Sequence, residues 1–444
     1  MKINRLASTV LPFAIVVALA GCGGDNGSAP TPAAGLVATP VGELTRADAE
    51  RAETPGVGVL DAAAAANNAF GMALFDQLAE TADGNLFLSP FSVSQALAMT
   101  YAGAEGETAE QMAGALALAE LAPGSVHGAF GALDRSLARG SDGADDDSER
   151  TFRLAIANAL WVEATYGVQP EFLDTLARGY GAGVRGADFI NEPDPSRERI
   201  NAWVADETED RIEELLPKGS IDNLTRLVIA NAVHFDAAWR QTFERTGEKA
   251  FKRLDGSTEA VEMMSRRGPT PFGEGDGYTA AELTYRGGEY AMLLIVPDEG
   301  EYERVEAEMG VGLLAEAAGA LRDEDDVALE LPPFEFRSEL ELEAPLEALG
   351  MVDAFDPEEA DFTAINPEAR EHRLHVSDVF HDAFVRVDEE GTEAAAATGV
   401  VFGIVSAPRH SLTVDRPFLF AIRDRESDAV LFLGRVLDPG DQPA

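Results

Sequence analysis

Hydrophobic residues recur along most of the chain with the spacing of helices or strands. Residues 62–78 carry apolar side chains at helical spacing, and Ser89-Pro90 marks a second helix start, because proline is favoured in the first turn. Apolar residues from Ile200 to Leu216 predict one long helix that begins near Pro195. Six apolar runs predict strands: Leu154–Val162, Leu227–Phe235, Tyr290–Val296, Val379–Val387, Phe418–Ile422 and Ala429–Val436.

These predicted helices and strands do not alternate strictly along the chain. Three of the six strands follow one another near the C-terminus, whereas a doubly wound sheet needs a helix between successive strands. The pattern therefore predicts an α+β fold with largely antiparallel sheets. We expect one domain over residues 61–441.

The N-terminus has the pattern of an export signal. Lys2 and Arg5 precede a mostly apolar run over residues 10–20, which is too short to span a bilayer. The sequence Leu19-Ala20-Gly21-Cys22 then resembles the lipobox of bacterial lipoproteins, whose cysteine is acylated. We expect a signal peptide over 1–21, lipidation at Cys22, and a location in the bacterial cell envelope, at the cell surface or released outside. A free cysteine after an ordinary signal is the alternative.

The segment after the signal has a loop-like composition. Residues 23–60 are rich in glycine, alanine, proline, threonine and acidic residues and show no sustained apolar period. A flexible coil of this length has a reach of roughly 30–37 Å. Residues 22–60 are therefore predicted to be a flexible tether.

Charge excludes several classes of partner. The chain has 79 acidic and 34 basic residues and a formal net charge of −45, which repels nucleic acid and anionic lipid. Its 45% hydrophobic content is sufficient for a large core. The single cysteine excludes an internal disulfide.

The usual signatures of catalytic and cofactor sites are missing from the sequence. It contains no G-x-S-x-G, Walker A or H-E-x-x-H motif. A G-x-G-x-x-G pattern begins at Gly181, but the preceding residues look helical, whereas a dinucleotide site needs a strand there. His372 and His375 have no third histidine or cysteine nearby to complete a metal site. We predict no enzyme activity, no metal and no cofactor.

The segment from Glu389 to Arg409, EEGTEAAAATGVVFGIVSAPR, is the most informative part of the chain. Four consecutive alanines follow Gly-Thr-Glu and offer no large side chain to anchor a core. A flexible surface loop explains this composition, but not why small residues come first and apolar residues later. A loop that enters a sheet as a new strand needs small residues at alternate positions, so that its inward side chains fit.

With this segment included, residues 61–440 resemble the serpin family of serine protease inhibitors. The resemblance implies three β-sheets, eight or nine helices and an exposed reactive loop at about 389–409. It further implies that a protease cleaves the loop, which inserts into the central sheet and drags the acylated protease with it. The matching stretches are NLFLSPFSVSQALAMTYAGAEGETAEQM from Asn85, INAWVADETEDRIEELLP from Ile200, LVIANAVHFDAAW from Leu227, HDAFVRVDEEGTEAAAATG from His381, DRPFLFAIRD from Asp415 and LFLGRVLDP from Leu431.

The resemblance also assigns roles to individual residues. The hinge of the loop comprises Glu389, Gly391, Thr392, Ala394, Ala396 and Thr398, and its inward positions are all small, which favours an inhibitor. The polar shutter beneath the parting strands comprises Ser89, Ser92, Asn231 and His381, and Trp239 lies at the breach above it. Many serpins pair the acid before the loop with a basic residue where this chain has Pro333, so Glu389 is expected to lack that partner.

The resemblance implies a scissile bond 14 residues after the hinge glycine, as is usual in inhibitory serpins, which places it at Val405-Ser406, or one residue earlier after Ile404. No lysine or arginine occurs between Gly391 and Pro408, which excludes trypsin-like targets and favours elastase-like or subtilisin-like enzymes. Residues 126–139 contain only two arginines, so we expect no glycosaminoglycan partner. The sequence predicts a monomeric, irreversible inhibitor. The alternative is a non-inhibitory serpin that serves as a surface binding or scaffold protein.

Overall fold

The computed structural model describes residues 35–52, 56–138, 152–208, 210–392 and 407–440. These ranges contain ten α-helices, one more than the upper number that the resemblance implies, and the shortest has four residues. The helices are α1 Val57–Thr81, α2 Pro90–Tyr101, α3 Gly106–Ala115, α4 Val126–Leu137, α5 Pro170–Tyr180, α6 Pro193–Glu207, α7 Tyr302–Ala307, α8 Val311–Ala320, α9 Glu343–Ala348 and α10 Ala369–His372.

Sixteen strands complete the described part of the chain, and all six predicted strands are among them. They are β1 Leu44–Thr45, β2 Leu86–Leu88, β3 Phe152–Glu163, β4 Val184–Ala187, β5 Leu227–Ala238, β6 Glu244–Lys252, β7 Thr258–Gly275, β8 Tyr278–Thr284, β9 Tyr290–Pro297, β10 Arg322–Leu331, β11 Phe334–Glu341, β12 Val376–Val387, β13 Gly391–Thr392, β14 His410–Thr413, β15 Phe418–Asp424 and β16 Val430–Val436.

The strands form two hydrogen-bonded networks. One is a seven-stranded sheet in the order β1-β4-β3-β5-β13-β12-β11. The other has nine strands and divides at the long strand β7, which pairs with β6 and β10 over most of its length and with β8 over its last residues. A four-stranded part (β6, β7, β10, β14) and a six-stranded part (β7, β8, β9, β15, β16, β2) thus account for the second and third of the three expected sheets.

The seven-stranded sheet is covered on both faces, because alternate residues of a strand point to opposite sides. Along β5, Leu227 and Ile229 belong to the main core with α1, α2 and the nine-stranded network. Val228 and Ala230 face the other way and pack in a separate cluster with α6. No helix within the described ranges is both long and apolar enough to cross a bilayer.

The helix predicted from Ile200 to Leu216 is shorter than expected. α6 ends at Glu207, and Thr208 terminates it by donating its hydroxyl to the Val204 carbonyl at 2.8 Å and accepting the Ile212 N–H at 3.2 Å. The apolar residues beyond, up to Leu216, pack in the same cluster as α6 without being helical. The hydrophobic spacing predicted correctly that these residues are buried, but it did not predict that their backbone is non-helical.

Part of the segment predicted to be a tether, residues 22–60, has regular secondary structure. Within it, β1 adds an antiparallel strand to the edge of the seven-stranded sheet beside β4, and α1 begins at Val57. Arg46 and Arg51 fasten the chain beyond β1 to the backbone carbonyls of Gly181 and Gly179 and to the carboxylate of Asp134. Residues 35–52 are named the edge segment below.

The glycines of the pattern at 181–186 leave room for this edge segment. Gly181 ends α5 in the left-handed conformation, with φ of 68°, as a helix-terminating glycine commonly does. A Cβ atom on Gly183 would overlap the carbonyl oxygen of Thr45, and one on Gly186 would overlap that of Thr39. The glycines therefore permit a close backbone approach, and the helix before them agrees with the rejection of a dinucleotide site.

Candidate functional site

The candidate site is the seam between β5 and β12 in the middle of the seven-stranded sheet. These two strands pair directly and in parallel from Val376–Leu227 to Phe384–His234. Beyond that point they part, and β13 lies between them, with Thr392 opposite Ala237 of β5 and Val387 of β12. The hinge residues Gly391 and Thr392 thus already occupy the position of a central strand.

Thr392 is held by a buried contact. Its side chain is almost fully inaccessible, and its Oγ1 lies 2.9 Å from the hydroxyl of Tyr285. Burial raises the pKa of Tyr285, so the phenol stays neutral and can donate to Thr392. Before it, Gly391 fits the sheet only because it lacks a side chain, since a Cβ atom there would overlap the Ala237 carbonyl oxygen.

The remaining predicted loop residues lie outside the described residues. These are the inward hinge positions Ala394, Ala396 and Thr398 and the predicted scissile pair Val405 and Ser406. The chain is described again from residue 407 and continues into β14, which pairs in parallel with β10. The proposed cleavage position therefore remains a prediction.

Trp239, which the resemblance assigns to the breach, binds the segment just before Gly391. Its indole Nε1 donates to the carbonyl of Asp388 at 3.0 Å, and its backbone N–H donates to that of Glu390 at 2.7 Å. The ring stacks on Tyr285 with centroids 4.5 Å apart. Trp239 and Tyr285 therefore connect the approach to the loop with the residue that enters the sheet.

Glu389 has a partner that the sequence did not reveal. Arg245 of β6 forms an ion pair with its carboxylate, and this hydrogen bond lowers the pKa of Glu389. The backbone carbonyl of Glu389 also accepts a hydrogen bond from the Phe243 N–H at 2.7 Å. Pro333 offers no cation, so Glu389 lacks the partner found in many serpins, but Arg245 supplies the charge from a different strand.

The four predicted shutter residues form one buried network where β5 and β12 pair. His381 accepts the backbone N–H of Ser89 at its Nε2 (3.0 Å), and its Nδ1 bonds the side-chain oxygen of Asn231. The Asn231 side-chain amide donates to the hydroxyl of Ser92 at 2.8 Å. Ser89 in turn caps α2 by accepting the Ser92 N–H at 3.1 Å.

The histidine in this network is neutral. Burial lowers the pKa of His381 from 6.5 to about 3. A neutral ring with Nδ1 protonated accepts from Ser89 at Nε2 and donates to the Asn231 side-chain oxygen at Nδ1, which satisfies both nitrogens. The shutter thereby links α2 to both strands of the seam.

Asn158 of β3 is a fifth member that the sequence analysis missed. Its side-chain oxygen accepts from Asn231 at 2.6 Å and from the Ser92 hydroxyl at 3.2 Å, and its amide donates to the Ser92 carbonyl at 3.1 Å. The signal was present, because Asn158 is the one polar residue in the apolar run Leu154–Val162. A partly buried polar side chain in a central strand needs partners, and the shutter supplies them.

The two histidines considered for a metal do not converge on a site. His372 stacks on Tyr166 with ring centroids 4.2 Å apart and lies 3.3 Å from the Glu368 carboxylate. His375 bonds the backbone carbonyl of Arg373 at 2.7 Å through its Nδ1. Among the described residues, no three or more histidine, cysteine or acidic side chains are arranged to hold a metal ion.

Comparison with known proteins gives consistent results. The family model "Serpin (serine protease inhibitor)" matches residues 65–439. Leukocyte elastase inhibitor A of Mus musculus is 35% identical over 387 residues, which cover 84% of this chain and 98% of the relative. An uncharacterized serpin-like protein of Methanosarcina mazei is 34% identical over 386 residues, covering 85% and 87%.

Solved structures of serpins are also similar to this chain. Tengpin, a thermophilic serpin in its native state, superimposes with a TM-score of 0.77 at 27% identity and covers 89% of this chain and 97% of its own. Uncleaved ovalbumin superimposes with a TM-score of 0.73 at 26% identity and covers 84% of this chain and 99% of its own. These matches confirm the predicted fold, and the chain belongs to the serpin family of serine protease inhibitors.

Proposed function

We propose that this serpin is an irreversible suicide-type inhibitor of serine proteases. The observation that carries the proposal is the placement of Gly391 and Thr392 as the first residues of a strand between β5 and β12. Continued insertion would place Ala394, Ala396 and Thr398 at the following inward positions, and all three are small. Nothing in the hinge sequence opposes entry into a close-packed sheet.

Insertion would also supply the driving force. A central strand gains hydrogen bonds to both neighbours, each worth about 0.5–1.5 kcal/mol net, so a dozen amount to on the order of 10 kcal/mol. This energy resembles the entire stability of a domain. If the loop stays outside the sheet until a protease cuts it, the free energy of insertion is released only after the cut. That free energy can then displace and distort the attached protease.

We further propose elastase-like or subtilisin-like enzymes as targets, with cleavage at about Val405-Ser406. A small β-branched residue before the scissile bond suits a shallow pocket, and the loop offers no cation to a trypsin-like pocket. The names of several relatives, leukocyte elastase inhibitors of Mus musculus and Bos taurus among them, support the same class.

The test is incubation of the purified full-length protein with elastase, subtilisin, chymotrypsin and trypsin in parallel. We expect a denaturant-resistant covalent complex with elastase or subtilisin and release of a C-terminal fragment that begins at or next to Ser406. Complexes with trypsin alone would contradict the target class. Cleavage without any complex would favour the non-inhibitory alternative, a surface binding or scaffold protein.

We also propose that the inhibitor is exported and anchored by a lipid on Cys22, because Leu19-Ala20-Gly21-Cys22 follows a short apolar run. Mass spectrometry of the mature protein is expected to show acylated Cys22 at the N-terminus. Cys22→Ser is expected to release the protein from the membrane fraction with its complex formation intact. An unmodified Cys22 in the mature protein would refute the anchor.

A further inference from the structure

The segment after α6, residues 210–222, crosses the outer face of the seven-stranded sheet. Its apolar side chains share one hydrophobic cluster with α6, β3 and β5, and Phe380 of β12 belongs to the same cluster. β5 and β12 are the strands between which the loop begins to enter. This crossing segment therefore contacts both sides of the seam.

On one side the crossing segment is fastened to α6. The Asn201 side chain accepts the backbone N–H groups of Leu215 (3.1 Å) and Leu216 (2.8 Å) and donates to the Leu216 carbonyl (3.0 Å). Arg197 donates to the same carbonyl at 3.2 Å. Both side chains come from buried residues of α6, so this attachment moves with the helix.

On the other side Arg337 of β11 reaches the crossing segment. Its guanidinium donates to the backbone carbonyl of Glu214 at 3.0 Å. It also binds both carboxylate oxygens of Asp382 on β12, whose side chain is only 2% exposed. A bidentate pair fixes the orientation of a guanidinium, so Asp382 aims Arg337 at the crossing segment.

Beside the apolar contact with Phe380, this second attachment borders open space. A cavity of about 480 Å³ lies between the crossing segment and β11 and β12, lined by Leu215, Pro217, Leu340 and Phe380 together with the polar residues around Arg337. Where side chains do not fill the space, a hydrogen bond carries a larger share of the contact. The Arg337–Glu214 bond is therefore the principal polar link from β11 to the crossing segment within the described ranges.

Insertion of a strand conflicts with these two attachments. β5 and β12 pair directly at the level of His381 and Asp382, and a strand placed between them separates them by a further 4.7–4.9 Å or so. The Glu214 carbonyl cannot then stay 3.0 Å from Arg337 while Leu215 and Leu216 stay on α6. One attachment has to break before the loop passes this level.

We propose that Arg337 is a positioning residue that latches the crossing segment across the seam and slows insertion of the reactive loop. The inference rests on the proposed inhibitory function and deepens it, because it identifies a contact that sets the insertion rate. A hydrogen bond from a charged donor that is lost before the transition state slows a step by about tenfold or more.

The test measures strand insertion without a protease. The intact full-length protein is incubated with a synthetic peptide of the sequence of residues 392–405, and uptake is followed on native gels. Arg337→Lys keeps a cation beside Asp382 but loses the fork that binds Asp382 and Glu214 together. We expect its uptake to be about tenfold faster than that of the unmodified chain, with nearly unchanged unfolding in urea.

Two further variants complete the design. Arg337→Gln combined with Asp382→Asn removes both charges without leaving either buried and unpaired, and we expect the same acceleration. Arg267→Lys, at an Arg–Asp pair that joins β7 to β10 in the nine-stranded network, is the control and should leave the rate unchanged.

If peptide uptake is unchanged in both Arg337 variants, the latch proposal is wrong, whereas the proposed inhibitory function is unaffected. Equal acceleration by Arg267→Lys would also overturn it, because the effect would then be general destabilisation. Failure of every variant and of the unmodified chain to take up peptide would overturn the insertion mechanism itself, and the latch with it.

Discussion

At the scale of single residues, Thr392 connects the hinge to the core. It is buried beside Tyr285, so the space at this position accepts only a small side chain, and one that can share a hydrogen bond with the phenol. Thr392→Arg would require a cation at this place, at a cost of several kcal/mol if the charge stays unpaired. We expect this variant to be cleaved by the target protease as a substrate, with little covalent complex.

Thr392→Ser is the matched control, because it keeps the hydroxyl near Tyr285 and should preserve the complex yield. The ratio of complex to cleaved inhibitor on denaturing gels measures both. An arginine variant with the complex yield of the unmodified chain would refute this role of the hinge.

His381 makes the shutter sensitive to acid. Its pKa in the folded protein is about 3, whereas the unfolded value is about 6.5, so the unfolded state binds the extra proton more readily. The stabilisation is fully present above pH 6.5 and is lost as the pH falls toward 3. It amounts to about 2 kcal/mol between pH 6.5 and pH 5.

His381→Gln provides the comparison, because other groups also titrate in this range, including the partly buried Asp378, whose pKa is raised by desolvation to about 6. Urea unfolding at pH 7, 6 and 5 should show a smaller loss of stability on acidification for the variant. Parallel pH profiles for the two proteins would show that His381 does not contribute.

At the scale of elements, the edge segment depends on glycines in the strand beside it. A side chain at residue 186 would collide with the Thr39 carbonyl, so Gly186→Ala is expected to detach the edge segment. Limited proteolysis should then cut within residues 35–52 several times faster. Gly128→Ala on α4 is the control, because no atom lies within 4 Å of a Cβ there.

Strands that are continuous apolar runs could be predicted from the sequence, whereas more polar strands could not. β5 and β9 are buried on both faces and were visible in the sequence, whereas β6 exposes nearly every residue and has no apolar run. The edge segment was missed because its pairing partner, β4, is 140 residues distant, and local composition carries no record of it. The shutter could be located only by resemblance, since its members come from four separate stretches.

At the scale of the whole molecule, the described residues supply only the beginning of one strand of the seven-stranded sheet. β13 has two residues, whereas β5 and β12 have twelve each. Cleavage of the loop should let the strand complete itself and raise the unfolding temperature by tens of degrees, because on the order of 10 kcal/mol is added to the folded state. Differential scanning calorimetry before and after cutting checks this, and an unchanged transition would show that no insertion follows cleavage.

The edge segment also fixes the end of the sheet at which the proposed lipid anchor would be attached. Val37 bridges to Val168, just beyond the Glu163 end of β3, whereas the hinge lies beside Ala237, which pairs with Phe152 at the opposite end. The twelve residues of β3 between these points span about 40 Å. Only residues 23–34 separate the proposed lipid from the edge segment, and even fully extended they reach about 40 Å. Under the proposed anchor, the point of attachment and the reactive loop therefore lie at opposite ends of the sheet, which leaves the loop accessible to a protease that approaches from the side away from the membrane.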